Sequence, residues 1–324
     1  MIYSRIAGTG SYLPERIITN HELEKIMDTS DEWIRSRTGI AERRVIGEGE
    51  STGTITLKAC QNAIEAADVD PAEIDLFILG TTTPDLIFPS TACLIQKELG
   101  LGDAAAMDVN AACSGFIYAL SIADKFIRCG DAKKVLVAGA ESLSKIVNWK
   151  SRDTAVLFGD GAGAVVLEAS SDAGILSTHI HADGQYADLL GTTVGVSRGF
   201  DGIETNEGKP EIQMRGNEVF KVAVRTLGRI VDETLGANNL DKSDLDWLIP
   251  HQANYRIITA TARMLDMDMD QVVVTVDRHG NTSAASVPLA LDEAVRDGRV
   301  KRGEMLLLEA FGGGFTWGSA LIRY

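Results

Sequence analysis

The chain has 324 residues, is 45% hydrophobic and carries a formal net charge of −15, which is ample apolar mass for two α/β domains or one large unit. That acidity argues against nucleic acid or an anionic membrane as partner. No apolar run approaches the roughly 20 residues of a membrane span, and the start MIYSRIAGTGSYLP lacks the charged and long apolar stretches of a signal peptide, so a soluble, cytoplasmic protein is expected.

In chain order, Gly8-Thr9-Gly10 hints at a dinucleotide loop but lacks a third glycine and a following helix, and reads as a tight turn. STGTITLKACQNAIEAA spaces its apolar residues at three and four, as a helix does. ILGTTT, VLVAG, GAVVLEA, WLIPH, VVVTV and MLLLEAF are short and apolar, bounded by glycine or charge, and predict buried strands. Gly159-Asp160-Gly161-Ala162-Gly163 also mimics a dinucleotide loop, but it runs into strand AVVLEA rather than a helix and likewise reads as a turn. GVSRGFDGIETNEGKPE is polar and glycine-rich, as a surface loop is, and NEVFKVAVRTLGRIVDETL resumes helical spacing. Strand–helix alternation predicts mostly parallel or mixed sheets covered by helices.

The chain also resembles itself at an offset of about 170 residues. Ile74–Leu79 matches Leu245–Pro250, and MDVNAACSGFIYALSIADKFIRCGDAKKVLVAGAE resembles TVDRHGNTSAASVPLALDEAVRDGRVKRGEMLLLEAF, which lays Cys113 opposite Asn281. A duplicated α/β fold follows, with an N-terminal half over 1–170, a connecting region over 171–216 and a C-terminal half over 217–324.

Cys113 stands where strand AAMDV ends and helix GFIYALSIADKF begins, between small residues. A helix N-terminus favours a thiolate, and the carboxyl ends of strands are where α/β proteins bind ligands. Cys60, Cys93 and Cys129 lie inside helical patterns and read as buried thiols. None of the four cysteines or five histidines shows paired metal-ligand spacing, so no metal or cofactor is expected. His251 and Asn281 stand at two further strand-to-helix turns. Singly, each has an ordinary structural reading. Together the three suit acyl transfer to cysteine followed by loss of CO2 from a malonyl thioester, because a neutral His Nε2–H and an Asn amide can hold the enolate oxygen. In Phe311-Gly312-Gly313-Gly314-Phe315 one N–H could complete an oxyanion hole with that of Cys113; a plain hairpin turn fits equally well.

NAACSGF, HQAN, RHGNTSAAS and FGGGFTWGSA, in this order and spacing, resemble the bacterial β-ketoacyl-acyl carrier protein synthase III family from GTGSYLPE to the C-terminus. The resemblance implies a thiolase-like, five-layered αβαβα fold, a homodimer, and initiation of fatty acid synthesis from acetyl-CoA or another short acyl-CoA and malonyl-ACP. It implies Cys113 as acylated nucleophile, His251 and Asn281 in decarboxylation and condensation, and Gly314 as second oxyanion-hole donor. Trp33 and Arg152 resemble the pair that sandwiches the CoA adenine. Arg37 and Asn254 resemble contacts to the CoA phosphates and pantetheine arm, and Phe88 the residue that limits the acyl pocket across a dimer interface. The segment Leu190–Pro210 follows the family pattern least well.

Carrier proteins are acidic, so a chain at −15 needs a local basic patch. Lys221, Arg225 and Arg229 recur every four residues on one predicted helix, and Arg256 and Arg263 share a face of the helix after His251. An ordinary solvated face has the same pattern, but two such faces beside the site favour carrier docking, since repulsion is screened beyond about 8–10 Å. The rivals are a related condensing enzyme of secondary metabolism and, at greater distance, a cysteine thioesterase; the papain-type signature C-G-S-C-W is absent around Cys113.

Overall fold

The computed structural model describes residues 2–199 and 210–324. In chain order it runs β1 (Tyr3–Tyr12), β2 (Arg16–Thr19), α1 (Asn20–Leu23), α2 (Asp31–Thr38), β3 (Glu42–Val45), α3 (Thr52–Ala67), β4 (Leu76–Gly80), α4 (Thr91–Leu99), β5 (Ala105–Val109), α5 (Gly115–Cys129), β6 (Lys134–Ser142), α6 (Arg152–Ala155), β7 (Asp160–Ser170) and β8 (Ile175–Ala182). After β9 (Leu190–Thr192) and β10 (Ile212–Met214) come α7 (Gly216–Asn238), β11 (Trp247–Pro250), α8 (Tyr255–Met264), α9 (Val276–His279), α10 (Ser286–Arg296), β12 (Met305–Gly312) and β13 (Thr316–Arg323).

Two sheets make the frame, in the orders β1-β7-β6-β4-β5 and β11-β12-β13-β8. Both are mixed: β5-β4-β6 and β11-β12 are parallel, and the remaining pairs are antiparallel. α5 and α10 lie between the sheets, α3 and α4 cover the outer face of the first, and α7 covers the second with α8 beside it. This is the expected five-layered αβαβα arrangement. The buried faces of α5 and α10 join residues of both sheets, such as Val137, Val165, Leu306 and Leu308, in one apolar core. The outer layers form separate clusters, one around α3 and the first sheet and one around the second sheet and α8.

The duplication is visible in the backbone, in a register that differs from the sequence alignment. Ala112 (φ 47°) and Ser283 (φ 49°) are left-handed residues that each open a 3-10 turn, 112–114 and 283–285, leading into α5 and α10. These equivalent positions set Ala284, not Asn281, opposite Cys113; the shorter offset instead matches Asp124 with Asp292, Arg128 with Arg296 and Gly130 with Gly298 in the helices that follow.

Other expectations change for packing reasons. Gly8 and Gly10 lie within β1, and Gly161 and Gly163 within β7, not in turns. A Cβ on Gly10 would come 2.2 Å from Ala63 N of α3, and one on Gly163 would come 2.7 Å from Leu289 N of α10, so these glycines let helices approach the sheet. The segment VVVTV forms no full strand. It makes one bridge, Leu248 to Val272, and the buried Gln252 side chain then replaces the ladder: Oε1 accepts from Thr275 N (2.8 Å) and Val276 N (3.1 Å), and Nε2 donates to Val273 O (3.0 Å). The stretch 171–216 contributes β8, the edge strand of the second sheet; its glycine-rich part at 200–209 lies outside the described residues. Cys93 and Cys129 are exposed, and of the three cysteines expected to be structural only Cys60 is buried.

Candidate active site

Two strand-to-helix turns, at Cys113 and His251, and the turn from α9 into α10 at Asn281 converge on a cavity of about 530 Å³ that is also lined by Phe311, Trp33 and Arg152. Cys113 follows the left-handed Ala112, and small neighbours permit the turn. A Cβ on Gly312 would stand 2.6 Å from Cys113 N, so β12 can approach the nucleophile only as glycine.

Burial pushes the Cys113 thiol up to about 11; the Glu141 charge adds to this, while the Ser283 hydroxyl and the backbone N–H groups of Cys113 and Gly313 pull the other way. The helix N-terminus therefore does not leave a resting thiolate, as its position suggested, because desolvation outweighs it. The backbone N–H that acts on the thiol is that of Gly313, not Gly314, which lies one residue further on at φ 136°, where an added Cβ would meet Thr316.

His251 directly follows β11, where its backbone N–H donates to Glu309 O (2.8 Å). Its Nδ1 lies 2.6 Å from Ser286 Oγ, which also accepts from Gln252 N–H at 3.3 Å. With Ser286 donating to Nδ1, the ring proton sits on Nε2, the nitrogen not engaged by Ser286. Burial lowers the His251 pKa to about 3, so the ring is neutral at working pH. Asn281 Oδ1 accepts from Ser283 N (2.9 Å), leaving the Nδ2 hydrogens for the cavity. Its backbone is fixed by Asn281 N to Leu157 O (2.8 Å) and Gly159 N to Asn281 O (3.0 Å). The site thus offers a thiol and two neutral donors in a buried pocket, where donors stabilise a developing anion more than they do in water.

At the mouth, Ser30 caps α2 by accepting from Trp33 N (3.1 Å), and the Trp33 ring carries Arg152 at 4.7 Å and Arg37 at 5.5 Å from its centroid. Trp33 and Arg152 thus touch each other, so a planar ring enters between them only if the guanidinium swings away. Asn254 caps α8 through Arg256 N (2.8 Å) and donates from Nδ2 to Arg37 O (3.1 Å), tying α8 to α2. Phe88 does not line the cavity of its own chain; it is 83% exposed, beside the exposed Leu86 and Ile87. Lys221, Arg225 and Arg229 are exposed on α7, as are Arg256 and Arg263 on α8. Arg256 lies over Phe220 of α7 (5.4 Å) and lines the cavity.

Sequence reasoning missed Ser283, Ser286, Gln252, Gly313 and Glu141. Glu141 had a signal, a lone carboxylate in the apolar strand VLVAGAES. Among the described residues no cluster of three or more His, Cys, Asp or Glu side chains could hold a metal ion, and no helix is long and apolar enough to cross a membrane.

Family models for 3-oxoacyl-(acyl-carrier-protein) synthase III match residues 107–184, and for its C-terminal part residues 235–324. A β-ketoacyl-(acyl-carrier-protein) synthase III of Xanthomonas campestris pv. campestris is 67% identical over 323 residues, covering 100% of this chain and 99% of the relative. One from Xylella fastidiosa is 66% identical over 325 residues, with the same coverage. The crystal structure of 3-oxoacyl-(acyl-carrier-protein) synthase III from Aquifex aeolicus matches with TM-score 0.93 at 49% identity, over 99% of this chain and 100% of that one. With Cys113, His251 and Asn281 on one cavity of a five-layered fold, the chain belongs to the β-ketoacyl-(acyl-carrier-protein) synthase III family.

Proposed function

We propose that the chain condenses acetyl-CoA, or another short acyl-CoA, with malonyl-ACP to give a 3-oxoacyl-ACP, CoA and CO2, the priming reaction of fatty acid synthesis. The observation that carries this reading is the single cavity joining Cys113, His251 and Asn281 to Trp33 and Arg152. In the first half-reaction Cys113 Sγ attacks the thioester carbonyl, and the N–H groups of Cys113 and Gly313 hold the oxyanion. In the second, malonyl thioester loses CO2, its enolate oxygen is held by His251 Nε2–H and Asn281 Nδ2–H, and the enolate carbon attacks the acyl-Cys113 carbonyl. Donors without positive charge suit a transient enolate that must still react.

Trp33 and Arg152 would part to hold the CoA adenine, with Arg37 and Asn254 on the phosphates and pantetheine arm. Lys221, Arg256 and Arg263 would receive the acidic carrier protein. The exposed Leu86-Ile87-Phe88 segment supports a homodimer in which Phe88 bounds the partner's acyl pocket. The half-folds 1–170 and 217–324 supply nucleophile and donors respectively, and we place the enzyme in the cytoplasm. A thioesterase reading is disfavoured because His251, neutral down to about pH 3, is too weak a base to activate water.

The test is intact-protein mass measurement after adding acyl-CoAs of increasing length, followed by malonyl-ACP. An adduct on Cys113 discharged only by malonyl-ACP, as a 3-oxoacyl product, is expected. An adduct that hydrolyses unaided to free acid would overturn the assignment.

A further inference from the structure

Beneath the site lies a buried carboxylate that the condensation chemistry above leaves unused. Glu141 lies near the end of β6, fully buried, in a strand otherwise built mainly of small and apolar residues. Its oxygens accept from Thr83 Oγ1 (2.6 Å), from Thr82 N (3.1 and 3.2 Å) and Oγ1 (3.0 and 3.1 Å), from Thr81 Oγ1 (3.4 Å), and from Ser283 Oγ (3.2 Å). The 283–285 turn packs against the 112–114 turn that carries Cys113, and the Ser283 hydroxyl lowers the thiol against its burial. A hydroxyl has one proton; while Ser283 donates to Glu141 it is free to accept from the thiol S–H.

The thiol needs such an acceptor. Burial holds it at about 11, and the neighbouring imidazole cannot serve, since His251 sits at about 3 with Nδ1 already engaged by Ser286. Glu141 is the ionisable group that faces Cys113 through one hydroxyl, and its charge is felt at the thiol. Ser283 is also held for this purpose: its backbone is left-handed at φ 49°, and its N–H is taken by Asn281 Oδ1. One residue therefore ties the decarboxylation donor to the path leading away from the nucleophile.

We propose that Ser283 and Glu141 relay the Cys113 proton during acyl transfer, so that as Sγ attacks the thioester carbonyl its proton passes to Ser283 Oγ and the Ser283 proton passes to the Glu141 carboxylate. When the tetrahedral intermediate collapses, the bond from the acyl carbon to the CoA sulfur breaks. The proton returns by the same route to that sulfur, which departs as CoA thiol. Acyl-Cys113 forms with no net change in protonation, and Glu141 is ionised again. Burial raises Glu141 to about 7, against the pull of its hydroxyl partners, so it can both take and return a proton near neutrality. Cys113 is the titratable partner facing it; its other partners are the threonine and serine groups named above.

The relay rests on the acyl-transfer reading, and the experiment separates the two. Single-turnover acylation of the full-length protein by acetyl-CoA is followed by mass from about pH 5.5 to 9.5, and malonyl-ACP decarboxylation is measured in parallel, for wild type, Glu141→Gln and Ser283→Ala. Wild-type acylation should rise with pH and level off above about 7, as Glu141 ionises. Glu141→Gln should slow acylation about 100-fold at pH 7 and replace the plateau with a rate that climbs toward the thiol's own ionisation, leaving decarboxylation in place. Ser283→Ala should reproduce that altered profile. Acylation by Glu141→Gln at the wild-type rate with the wild-type profile would overturn the relay, as would equal losses in both half-reactions, which would mark a structural role. Failure of the wild type to acylate at any pH would instead remove the acyl-transfer reading.

Discussion

The two central turns, 112–114 and 283–285, share one backbone and carry different loads. Each begins with a left-handed residue, Ala112 or Ser283, and each feeds a helix that packs between the sheets. The first is approached by β5, a full strand paired along β4 from Leu76–Ala105 to Gly80–Val109. The second is approached by Val272–Thr275, which pairs at one bridge and leans on the Gln252 side chain. Freed from ladder pairing, that approach folds into α9 before Gly280 turns Asn281 toward the cavity. Duplication thus supplied two equivalent frames, and departure from symmetry on one side made room for a donor where the other presents a thiol.

The largest effect should come from emptying the first turn. Cys113→Ala should abolish the acyl adduct in the mass assay while slow malonyl-ACP decarboxylation persists; an adduct on another cysteine would break the asymmetry between the turns. Next, emptying the second side with His251→Ala or Asn281→Ala should lower condensation by about 10²–10³-fold yet leave acylation by labelled acetyl-CoA in place. Loss of acyl transfer with decarboxylation retained would reverse the roles assigned to the two turns.

Gln252→Leu tests what replaced the missing strand. It leaves the N–H groups of Thr275 and Val276 and the carbonyl of Val273 without their side-chain partner, at about 2–4 kcal/mol, and should lower Tm by roughly 5 °C or more. An unchanged Tm would mean that the segment holds its path without Gln252.

A smaller, pH-dependent effect concerns Glu309 beneath His251. Its two oxygens have no hydrogen-bond partner among the described residues, and burial pushes it up to about 8 against a weak pull from Thr261, whose hydroxyl donates to Ile257 O. The folded state therefore holds a proton that the unfolded chain releases near its ordinary value of 4.5, so the stability this group contributes is full below that value and is lost as pH rises toward 8. Glu309→Gln should flatten this loss by a few kcal/mol, in order of magnitude, when melting is compared between about pH 5 and pH 9. A slope equal to wild type would mean that Glu309 is ionised in place. The smallest effect is at the mouth: Arg256→Glu should raise KM for malonyl-ACP about 10-fold and leave acetyl-CoA transacylation nearly unchanged. Equal loss in both would remove the docking patch.

The sequence made the frame legible because its signals are local. Period 3.6 marked α3 and α7, short apolar runs marked β4, β6, β7, β11 and β12, and strand-to-helix junctions marked Cys113, His251 and Asn281. What it concealed depends on contacts across the chain. Gly10 looks like a turn until α3 is seen against it, and VVVTV looks like a strand until Gln252 takes its hydrogen bonds. The helix N-terminus suggested a thiolate at Cys113, whereas burial by residues far away in sequence decides the opposite. Gly313 and Gly314 are indistinguishable as letters, and only backbone direction separates them. Phe88 stands outside its own chain's cavity and is exposed, which its sequence context alone did not reveal.

The most direct test separates the two half-reactions in one preparation. Wild type, Cys113→Ala and His251→Ala are each mixed with acetyl-CoA and then malonyl-ACP, with the adduct mass and the carrier product read at each stage. Wild type and His251→Ala should carry an acetyl adduct, Cys113→Ala none, and a 3-oxoacyl carrier product should come from wild type alone. Condensed product from Cys113→Ala, or His251→Ala that discharges its adduct as readily as wild type, would contradict the division of labour between Cys113 and His251.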